Sequence, residues 1–383
     1  MLVPSRLRPV LRALGVAAGL PLVVAAQDDA ALVARARAIH DRVLTLDTHV
    51  DINPAHFGRE APNYVSGVAR NQVDLPKMEA GGLDAAFLIV YVGQARTIDS
   101  TTMAAAYAAA MEKFAAIHRL TDTLAPSRVG LARTAAEARA IAASGRKVIF
   151  IGIENGFPVG TDLRRIKQFA DLGGRYLSLA HNGHSQLSDS NTGERDGIWL
   201  HDGLSPLGRE AVAELNRQGV MIDISHPSKA SMLQTIALTQ APIIASHSGV
   251  RALCNHSRNL DDEQLRAMGR NGGVVQLVAF NSYVKCGPTP DGSRPVATVK
   301  DFVDHIDYAV RLIGLDHVGI SSDFDGGGGV EGWRDATETF NVTLELVRRG
   351  YTEAQIAKIW GGNLLRVLDE VQQVSARLQR QGR

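Results

Sequence analysis

The chain has 383 residues, of which 45% are hydrophobic and 21% are charged, as expected for a soluble globular protein with a substantial core. Its formal net charge is only +1. Because nucleic acids and anionic membranes are bound by clustered basic surfaces, this balance all but excludes both as partners.

The first 26 residues predict a cleaved signal peptide. A basic stretch with Arg6, Arg8 and Arg12 precedes the apolar run Ala13–Ala26. This run has about 14 apolar residues and a spanning helix needs roughly 20, so a membrane anchor is the less favoured alternative. We therefore expect export to the periplasm or the medium, with no stable membrane anchor after cleavage. The mature chain, residues 27–383, is expected to be one domain.

Eight short, mostly apolar runs alternate with amphipathic segments along the rest of the chain. Such runs are typical of parallel strands that are buried on both faces. Eight βα units predict an α/β fold, a (β/α)8 TIM-type barrel, and a doubly wound open sheet is the alternative. The predicted strands are Val43–Asp51, Asp84–Val92, Lys147–Glu154, Tyr176–His181, Val220–His226, Pro242–His247, Gly273–Phe280 and His317–Asp323.

Helix-like segments separate these strands, and some carry a start signal. Ser228 precedes one of them, and Thr352 with Gln355 forms a capping-box pattern. The longest irregular stretch is Asn182–Leu204, which could cover the site or be a solvated insertion. The predicted helices include Thr101–Leu120, Thr134–Ser144, Asp162–Leu172, Pro206–Gln218, Asp261–Gly269, Val299–Ile313, Asp335–Arg349 and Thr352–Val371.

Polar residues occur at the C-terminal ends of the predicted strands, which in such a barrel converge on the rim where active sites lie. Taken singly, each of them is more often a helix cap, an ion-pair partner or a hydrogen-bonded core residue. Together they predict a metal site at this rim. They are His49, Asp51, Glu154, His181, His226, His247 and Asp323.

Five of these residues have side chains that commonly bind metals. His49 and Asp51 are two apart on a strand, so they point to the same face. Glu154 has two carboxylate oxygens and could bridge two ions. His226 and His247 each end an apolar strand, where an imidazole without a partner would be poorly solvated. Imidazole with carboxylate suits zinc, and manganese or iron remains an alternative.

An ordered set of motifs resembles the membrane (renal) dipeptidase family, peptidase family M19. The first is LDTHVDI, in which Thr48 and Val50 replace the usual Gly and Asn. The set extends from about residue 40 to about residue 370. The motifs that follow are IEN at 153–155, YLSLAHN at 176–182, GLSPLGREAVAELNRQGVMIDISH at 203–226, ASHSGVRALCNHSRNLDDEQL at 245–265, GGVVQLVAFNSYVKC at 272–286, GISSDFDG at 319–326 and GGNLLRV at 361–367.

The resemblance implies two zinc ions per chain. It places His49 and Asp51 on one ion, His226 and His247 on the other, and Glu154 between them. Dipeptide-binding roles fall on His181, Arg258, Tyr283 and Asp323. From the residues alone, Arg258 could equally be a surface ion-pair partner of Asp261 or Asp262, and Tyr283 could be a core residue.

The resemblance also bears on the two cysteines, Cys254 and Cys286, and on assembly. In an exported protein such a pair could form a disulfide or remain two buried thiols. The resemblance implies that the two are paired, and it implies a homodimer.

The expected reaction is hydrolysis of a dipeptide by a metal-bridging hydroxide, because bound zinc lowers the pKa of water to about 7. Asp323 would orient the water and pass its proton to the leaving amine, with Glu154 bridging the metals and His181 stabilising the oxyanion. One alternative is a related two-metal hydrolase acting on a lactam, lactone or cyclic amide. Another is a non-catalytic exported zinc-binding protein, which the presence of Asp323 and His181 disfavours.

Overall fold

The computed structural model describes residues 21–289 and 291–381. Nine strands form one sheet within these residues, and all their pairings are parallel. The strands are β1 Leu46–Asp51, β2 Ala85–Tyr91, β3 Val129–Leu131, β4 Lys147–Glu154, β5 Gly174–Ser178, β6 Met221–Asp223, β7 Ile244–Ser248, β8 Val274–Val278 and β9 Val318–Ser321.

The sheet closes almost completely into a barrel. Its strand order is β1-β2-β4-β5-β6-β7-β8-β9. At the closure, the amide of Asp51 donates to the carbonyl oxygen of Phe324, just beyond β9, at 2.9 Å. Helices lie between the strands along the chain, so the predicted (β/α)8 barrel is confirmed. The ninth strand, β3, was not predicted; it pairs with the start of β4, outside the main order.

Helices occupy the predicted segments, mostly with small shifts in their ends. The last predicted helix, Thr352–Val371, instead forms two α-helices and continues to Gln381. Ser228 and Thr352 cap their helices, and the capping box from Thr352 to Gln355 is present. The helices are α1 Pro21–His40, α2 Leu75–Gly81, α3 Ser100–Arg119, α4 Ala135–Ala143, α5 Arg164–Asp171, α6 Gly193–Asp196, α7 Pro206–Gln218, α8 Lys229–Leu238, α9 Asp262–Asn271, α10 Asn281–Val284, α11 Val299–Ile313, α12 Phe340–Arg348, α13 Glu353–Ala357 and α14 Asn363–Gln381.

All eight predicted strands form, but several end earlier than their apolar runs. β5 ends at Ser178 and β6 at Asp223, so His181 and His226 lie in the loops that follow. The apolar run continues beyond the last ladder hydrogen bond because the first loop residues are still buried. The loop backbone is thus free to turn both imidazoles towards the barrel axis.

Inside the barrel, a glycine makes room for a tyrosine. Tyr176 on β5 is fully buried, and a Cβ atom at Gly152 on β4 would lie only 2.2 Å from the Cζ atom of its ring. A side chain at position 152 would therefore displace the ring. This packing fixes the position of the Tyr176 hydroxyl inside the barrel, just below the rim.

The predicted signal segment Met1–Ala26 falls mostly outside the described residues, which begin within it at Pro21. Among the helices that are described, none is both long and apolar enough to cross a membrane.

Candidate metal centre

Side chains from six of the barrel's strand ends meet at its C-terminal mouth. Within the described residues, three overlapping groups of carboxylates and imidazoles have ligand atoms within 4.8 Å of one another. All seven rim residues predicted from the sequence belong to these groups: His49, Asp51, Glu154, His181, His226, His247 and Asp323.

Glu154 lies at the centre of the group, and its two oxygens face different histidines. Oε1 is 2.9 Å from Nε2 of His226 and 3.3 Å from Nε2 of His247. Oε2 is 3.4 Å from Nε2 of His49, which is itself 3.7 Å from Oδ2 of Asp51. One carboxylate therefore lies between a His–Asp pair and a His–His pair, which is the arrangement predicted for a bridging ligand.

Each of the three histidines around Glu154 is held through its Nδ1 atom. His49 Nδ1 is 2.8 Å from the Tyr176 hydroxyl, which donates to the carbonyl of Thr48 at 3.1 Å. The hydroxyl proton is thus committed to that carbonyl, so the tyrosine oxygen accepts from Nδ1–H and the lone pair of His49 lies on Nε2. Hydrogen bonds of this kind fix the tautomer of metal-binding histidines.

The other two histidines follow the same pattern. Nδ1 of His226 is 3.1 Å from Oδ1 of Asn182, an acceptor. Nδ1 of His247 is 2.7 Å from Oγ of Ser246, whose proton goes to Asp223 at 2.7 Å. All three Nε2 lone pairs therefore point towards Glu154.

These lone pairs fit a divalent cation. Nε2 of His49 is buried without a hydrogen-bond partner among the described residues, and Nε2 of His226 lies only 3.0 Å from Nε2 of His247. Two imidazole lone pairs at that separation repel each other unless a cation lies beside them. Imidazole and carboxylate are the donors that a transition metal of the zinc type prefers.

The electrostatics of the metal-free site suit His226 and His247 as neutral ligands. Burial holds the pKa of each imidazole well below its usual value, and the Arg258 guanidinium lowers both further. Neutral imidazole is the form that binds metals. In the metal-free site, burial raises the pKa of Glu154, but the positive charge of a protonated His49 and the contacts with His226 and His247 outweigh burial and hold it well below its usual range. A bound metal ion would displace the Nε2 proton of His49.

Asp323 behaves differently from Glu154. Burial raises its pKa to about 8, and the neighbouring carboxylates Asp51 and Glu154 add to the rise while His49 opposes it. Its backbone is left-handed, with φ of 60°, directly after β9. Strained backbone of this kind is common at functional sites, and here it turns the carboxyl group towards His49 Nε2, 3.8 Å away.

His181 lies beside the metal-binding groups. Its Nε2 is 3.8 Å from Oε1 of Glu154, and its ring centroid is 4.2 Å from that of His226. Burial lowers the pKa of its imidazole, so the ring is neutral and can donate one hydrogen bond. It lines the open cavity as well as the metal centre.

Arg258 and Tyr283 lie together on the opposite wall. The guanidinium carbon is 5.5 Å from the centre of the Tyr283 ring, and Arg258 is only 3% exposed. Arg258 donates to the carbonyls of Ser225 and His247, and its Nε has no partner among the described residues. It is therefore not a surface partner of Asp261, which pairs with Lys229 instead, and Tyr283 borders the cavity.

A disulfide joins Cys254 and Cys286, whose Cα atoms are 5.3 Å apart. Between the cysteines, the side-chain amide of Asn259 donates to the carbonyls of both Cys254 and Tyr283 at 2.8 Å. The disulfide and this amide together tie the Arg258 loop to the Tyr283 helix, α10.

The stretch 182–204, predicted as irregular, is mostly ordered by one buried carboxylate. Asp189 is fully buried and accepts from the amides of Leu200, His201 and Gly203 at 2.9, 3.2 and 3.0 Å. The stretch also contains the short helix α6. Its first residue is Asn182, which holds the Nδ1 atom of His226, so this segment supports the metal centre.

A cavity of about 550 Å³ opens above the metal-binding groups. Four of the residues that border it or support the centre below it were not singled out from the sequence: Tyr91, Lys113, Tyr176 and Asn182. Tyr91 could have been found, because it is a polar residue at the end of β2. Lys113 lies in a helical segment whose sequence is typical of a solvent-exposed face, so its position at the cavity could not be predicted.

Comparison with known proteins agrees with this geometry. A sequence profile of the membrane dipeptidase family, peptidase family M19, matches residues 33–382. Dipeptidase aclJ of Aspergillus oryzae (strain ATCC 42149 / RIB 40) is 34% identical over 313 residues, covering 80% of this chain and 72% of that protein.

Two solved structures are also similar. One is the probable dipeptidase PvdM from Pseudomonas aeruginosa, with a TM-score of 0.84 and 32% identity over 90% of this chain and 99% of that chain. The other is a metallo peptidase from Rhodobacter sphaeroides liganded with a phosphinate mimic of the dipeptide L-Ala-D-Ala. It has a TM-score of 0.75 and 26% identity, with 86% of this chain and 99% of that chain covered.

Proposed function

This chain belongs to the membrane dipeptidase family, peptidase family M19, and is a metallo-dipeptidase; from that premise we propose that it hydrolyses dipeptides at a centre of two zinc ions. The observation that carries the proposal is the position of Glu154. Its two oxygens face His49 on one side and the pair His226 and His247 on the other. A carboxylate so placed can serve two ions at once.

The protein's own residues divide into two ligand sets. His49 and Asp51 would hold one ion, His226 and His247 the other, with Glu154 shared. When bound, two zinc ions would polarise the peptide carbonyl and lower the pKa of the attacking water towards neutrality.

In the proposed reaction, Asp323 moves the proton. Its carboxyl group borders both the cavity and the metal-binding groups, and burial favours its protonated form. Bound metal cations would favour the carboxylate form, which can take a proton from the attacking water. The carboxylic acid so formed, which burial stabilises, can then deliver that proton to the amine that leaves. Gly326 leaves the space it needs, because a Cβ atom there would lie 2.5 Å from Oδ1 of Asp323.

His181 and Arg258 would position the substrate. The neutral His181 imidazole can donate to the oxygen that becomes negative in the transition state. The Arg258 guanidinium has donors beyond those bound to Ser225 and His247, and with Tyr283 it can bind the C-terminal carboxylate. Such a clamp would restrict the enzyme to short substrates.

We also propose that the protein is exported and that the segment Met1–Ala26 is removed. The basic and apolar pattern of that segment supports export, and so does the Cys254–Cys286 disulfide, since disulfides persist mainly in oxidising compartments. The resemblance to the family supports a homodimer as the working assembly.

The test is a substrate panel run on zinc-loaded protein, on protein treated with a chelator, and on chelated protein resupplied with zinc. The panel contains L-Ala-L-Ala, L-Ala-D-Ala, the amidated dipeptide, L-Ala-L-Ala-L-Ala, and a lactam and a lactone. We expect hydrolysis of free dipeptides alone, lost with the chelator and restored by zinc, with two zinc ions per active chain by elemental analysis.

Two variants sharpen the result. His226→Ala should lose metal and activity together, because it removes a ligand from the centre. His118→Ala, a histidine on the outer helix α3, should lose neither. One tightly bound ion in fully active protein would contradict the two-metal site. Cleavage of the lactam or lactone in place of dipeptides would contradict the substrate class.

A further inference from the structure

Lys113 on α3 is a cation that borders the cavity above the metal-binding groups, and no described residue pairs with it. It is half-buried and makes no hydrogen bond or ion pair with any residue in the described ranges. Its ammonium lies 5.2 Å from the centre of the Tyr91 ring, and the Tyr91 ring centroid is 4.8 Å from that of His181. A line of contacts thus runs from the metal centre outwards to this ammonium group.

Lys113 and Arg258 lie on opposite walls of the cavity. Lys113 contacts Tyr91, the last residue of β2, and Arg258 follows β7. In the barrel, β4, β5 and β6 separate β2 from β7 on one side, and β8, β9 and β1 separate them on the other. The two cations therefore face each other across the centre, with the metal-binding groups between them.

This arrangement sets the direction in which a dipeptide would lie. If its C-terminal carboxylate is held at Arg258 and its peptide bond lies over Glu154, its N-terminal residue extends towards β2. Beyond the metal ligands, that wall is formed by the ring of Tyr91 and the ammonium of Lys113. Bound metal ions would offset the charge of the carboxylates at the centre, Asp51 and Glu154, so the Lys113 ammonium at this end is best matched by an anionic side chain.

We propose that Lys113 and Tyr91 form a subsite for a carboxylate on the first residue of the substrate, so that dipeptides beginning with Asp or Glu are preferred. The proposal rests on the proposed dipeptidase function. The Lys113 ammonium would bind the side-chain carboxylate directly, and the Tyr91 hydroxyl can donate a second hydrogen bond. The cation–π contact with Tyr91 leaves ammonium protons free for this role.

The competing explanation is structural. Lys113 could simply extend its aliphatic stem over Tyr91 and help to pack α3 against β2. Burial without a partner argues against this, because it lowers the pKa of the Lys113 ammonium, with only partial compensation from Asp51 and Glu154. A bound carboxylate would offset that cost, whereas packing alone leaves it in place.

The test compares kcat/KM for Glu-Ala with kcat/KM for Gln-Ala, a neutral substrate of nearly the same shape. For zinc-loaded wild-type enzyme we expect Glu-Ala to be favoured by about tenfold, the value of one partly exposed charge-assisted hydrogen bond. In Lys113→Met the ratio should fall to about one. In Lys113→Glu the preference should shift to Lys-Ala.

The readout is a ratio of two substrates on the same protein sample, so a general loss of folding or metal cancels. The matched control is Lys167→Met on α5, whose ammonium pairs with Asp171 away from the cavity. It should keep the wild-type ratio. A wild-type ratio near one, or a ratio that survives in Lys113→Met, would overturn the subsite and leave Lys113 as a packing residue.

Failure of this subsite can be told apart from failure of the proposed function. Normal hydrolysis of Ala-Ala with no preference for Glu-Ala would contradict only the proposed subsite. If zinc-loaded enzyme cleaves neither Ala-Ala nor the two test dipeptides, the proposed dipeptidase function is contradicted, and the subsite proposal with it.

Discussion

The hydroxyl of Tyr176 lies 2.8 Å from Nδ1 of His49 and passes its own proton to the carbonyl of Thr48. This hydrogen bond fixes the tautomer of His49, so that Nε2 carries the lone pair. Tyr176 acts from inside the barrel, in a space that exists because residue 152 is glycine.

Removal of this hydroxyl should weaken metal binding without unfolding the barrel. In Tyr176→Phe, we expect zinc affinity to fall by about 10- to 100-fold, because hydrogen bonds behind a ligand orient it and raise its basicity. Competition with a chromogenic chelator measures the change. The control is Tyr64→Phe, another fully buried tyrosine, whose hydroxyl is only near Met78 Sδ at 3.8 Å. Equal affinities in the two variants would contradict the role of Tyr176.

Arg258 should distinguish free from amidated dipeptides. A charge-assisted hydrogen bond contributes about 1.5–3 kcal/mol, so Arg258→Ala should lower kcat/KM for free dipeptides by roughly 10- to 150-fold. Amidated dipeptides should be poor substrates for both enzymes. Arg258→Lys should not restore activity, since lysine cannot form the bidentate pair. Wild-type enzyme that cleaves amidated and free dipeptides equally well would refute the carboxylate role.

Asp323 should release a proton when metal binds. Its pKa of about 8 keeps it protonated at pH 7 in the metal-free protein, and nearby metal cations would favour the carboxylate. Asp323→Asn should therefore release fewer protons on zinc binding at pH 7, by about one per chain. Calorimetric titrations in buffers of different protonation enthalpy count these protons. Asp162→Asn, at an exposed carboxylate, should match wild type, and an unchanged count in Asp323→Asn would show that Asp323 is already ionised.

The disulfide should matter for stability more than for chemistry. It closes a loop with a sequence separation of 32 residues, for which chain entropy gives about 3–4 kcal/mol of stabilisation. We expect the double variant Cys254→Ser, Cys286→Ser to lose free energy of unfolding in denaturant titrations while it still binds metal. Its KM for dipeptides should rise, because the Arg258 loop and α10 are no longer tied together. Two titratable thiols in unreduced, denatured wild-type protein would contradict the pairing.

The sequence predicted the barrel and its rim because both follow from a local pattern. Each apolar run ends in a polar residue, and parallel strands in a barrel bring those ends together. The residues that hold the metal-binding side chains from below, such as Tyr176, could not be predicted in this way. Tyr176 points inwards from the middle of a strand, and only the missing Cβ atom of Gly152, on the neighbouring strand, makes room for it. Lys113 reaches the cavity from a helix whose sequence has the pattern of an ordinary solvated face.

The junction between β1 and β9 has a further consequence. Among the described residues, the backbone joins these strands through one bridge, Val50 to Phe324, and side chains complete the junction. Oδ1 of Asp47 accepts a hydrogen bond from the amide of Ser322. The Thr48 hydroxyl lies 3.1 Å from the carbonyl oxygen of Ile320. Loss of metal would remove the ion that we propose Asp51, at the end of β1, shares with His49 and Glu154, and with it a support at the top of this junction. Amide hydrogen exchange should then accelerate first in β1 and β9. If these strands separate, each exposes an unpaired edge that can pair with another molecule, so metal depletion should lead to aggregation.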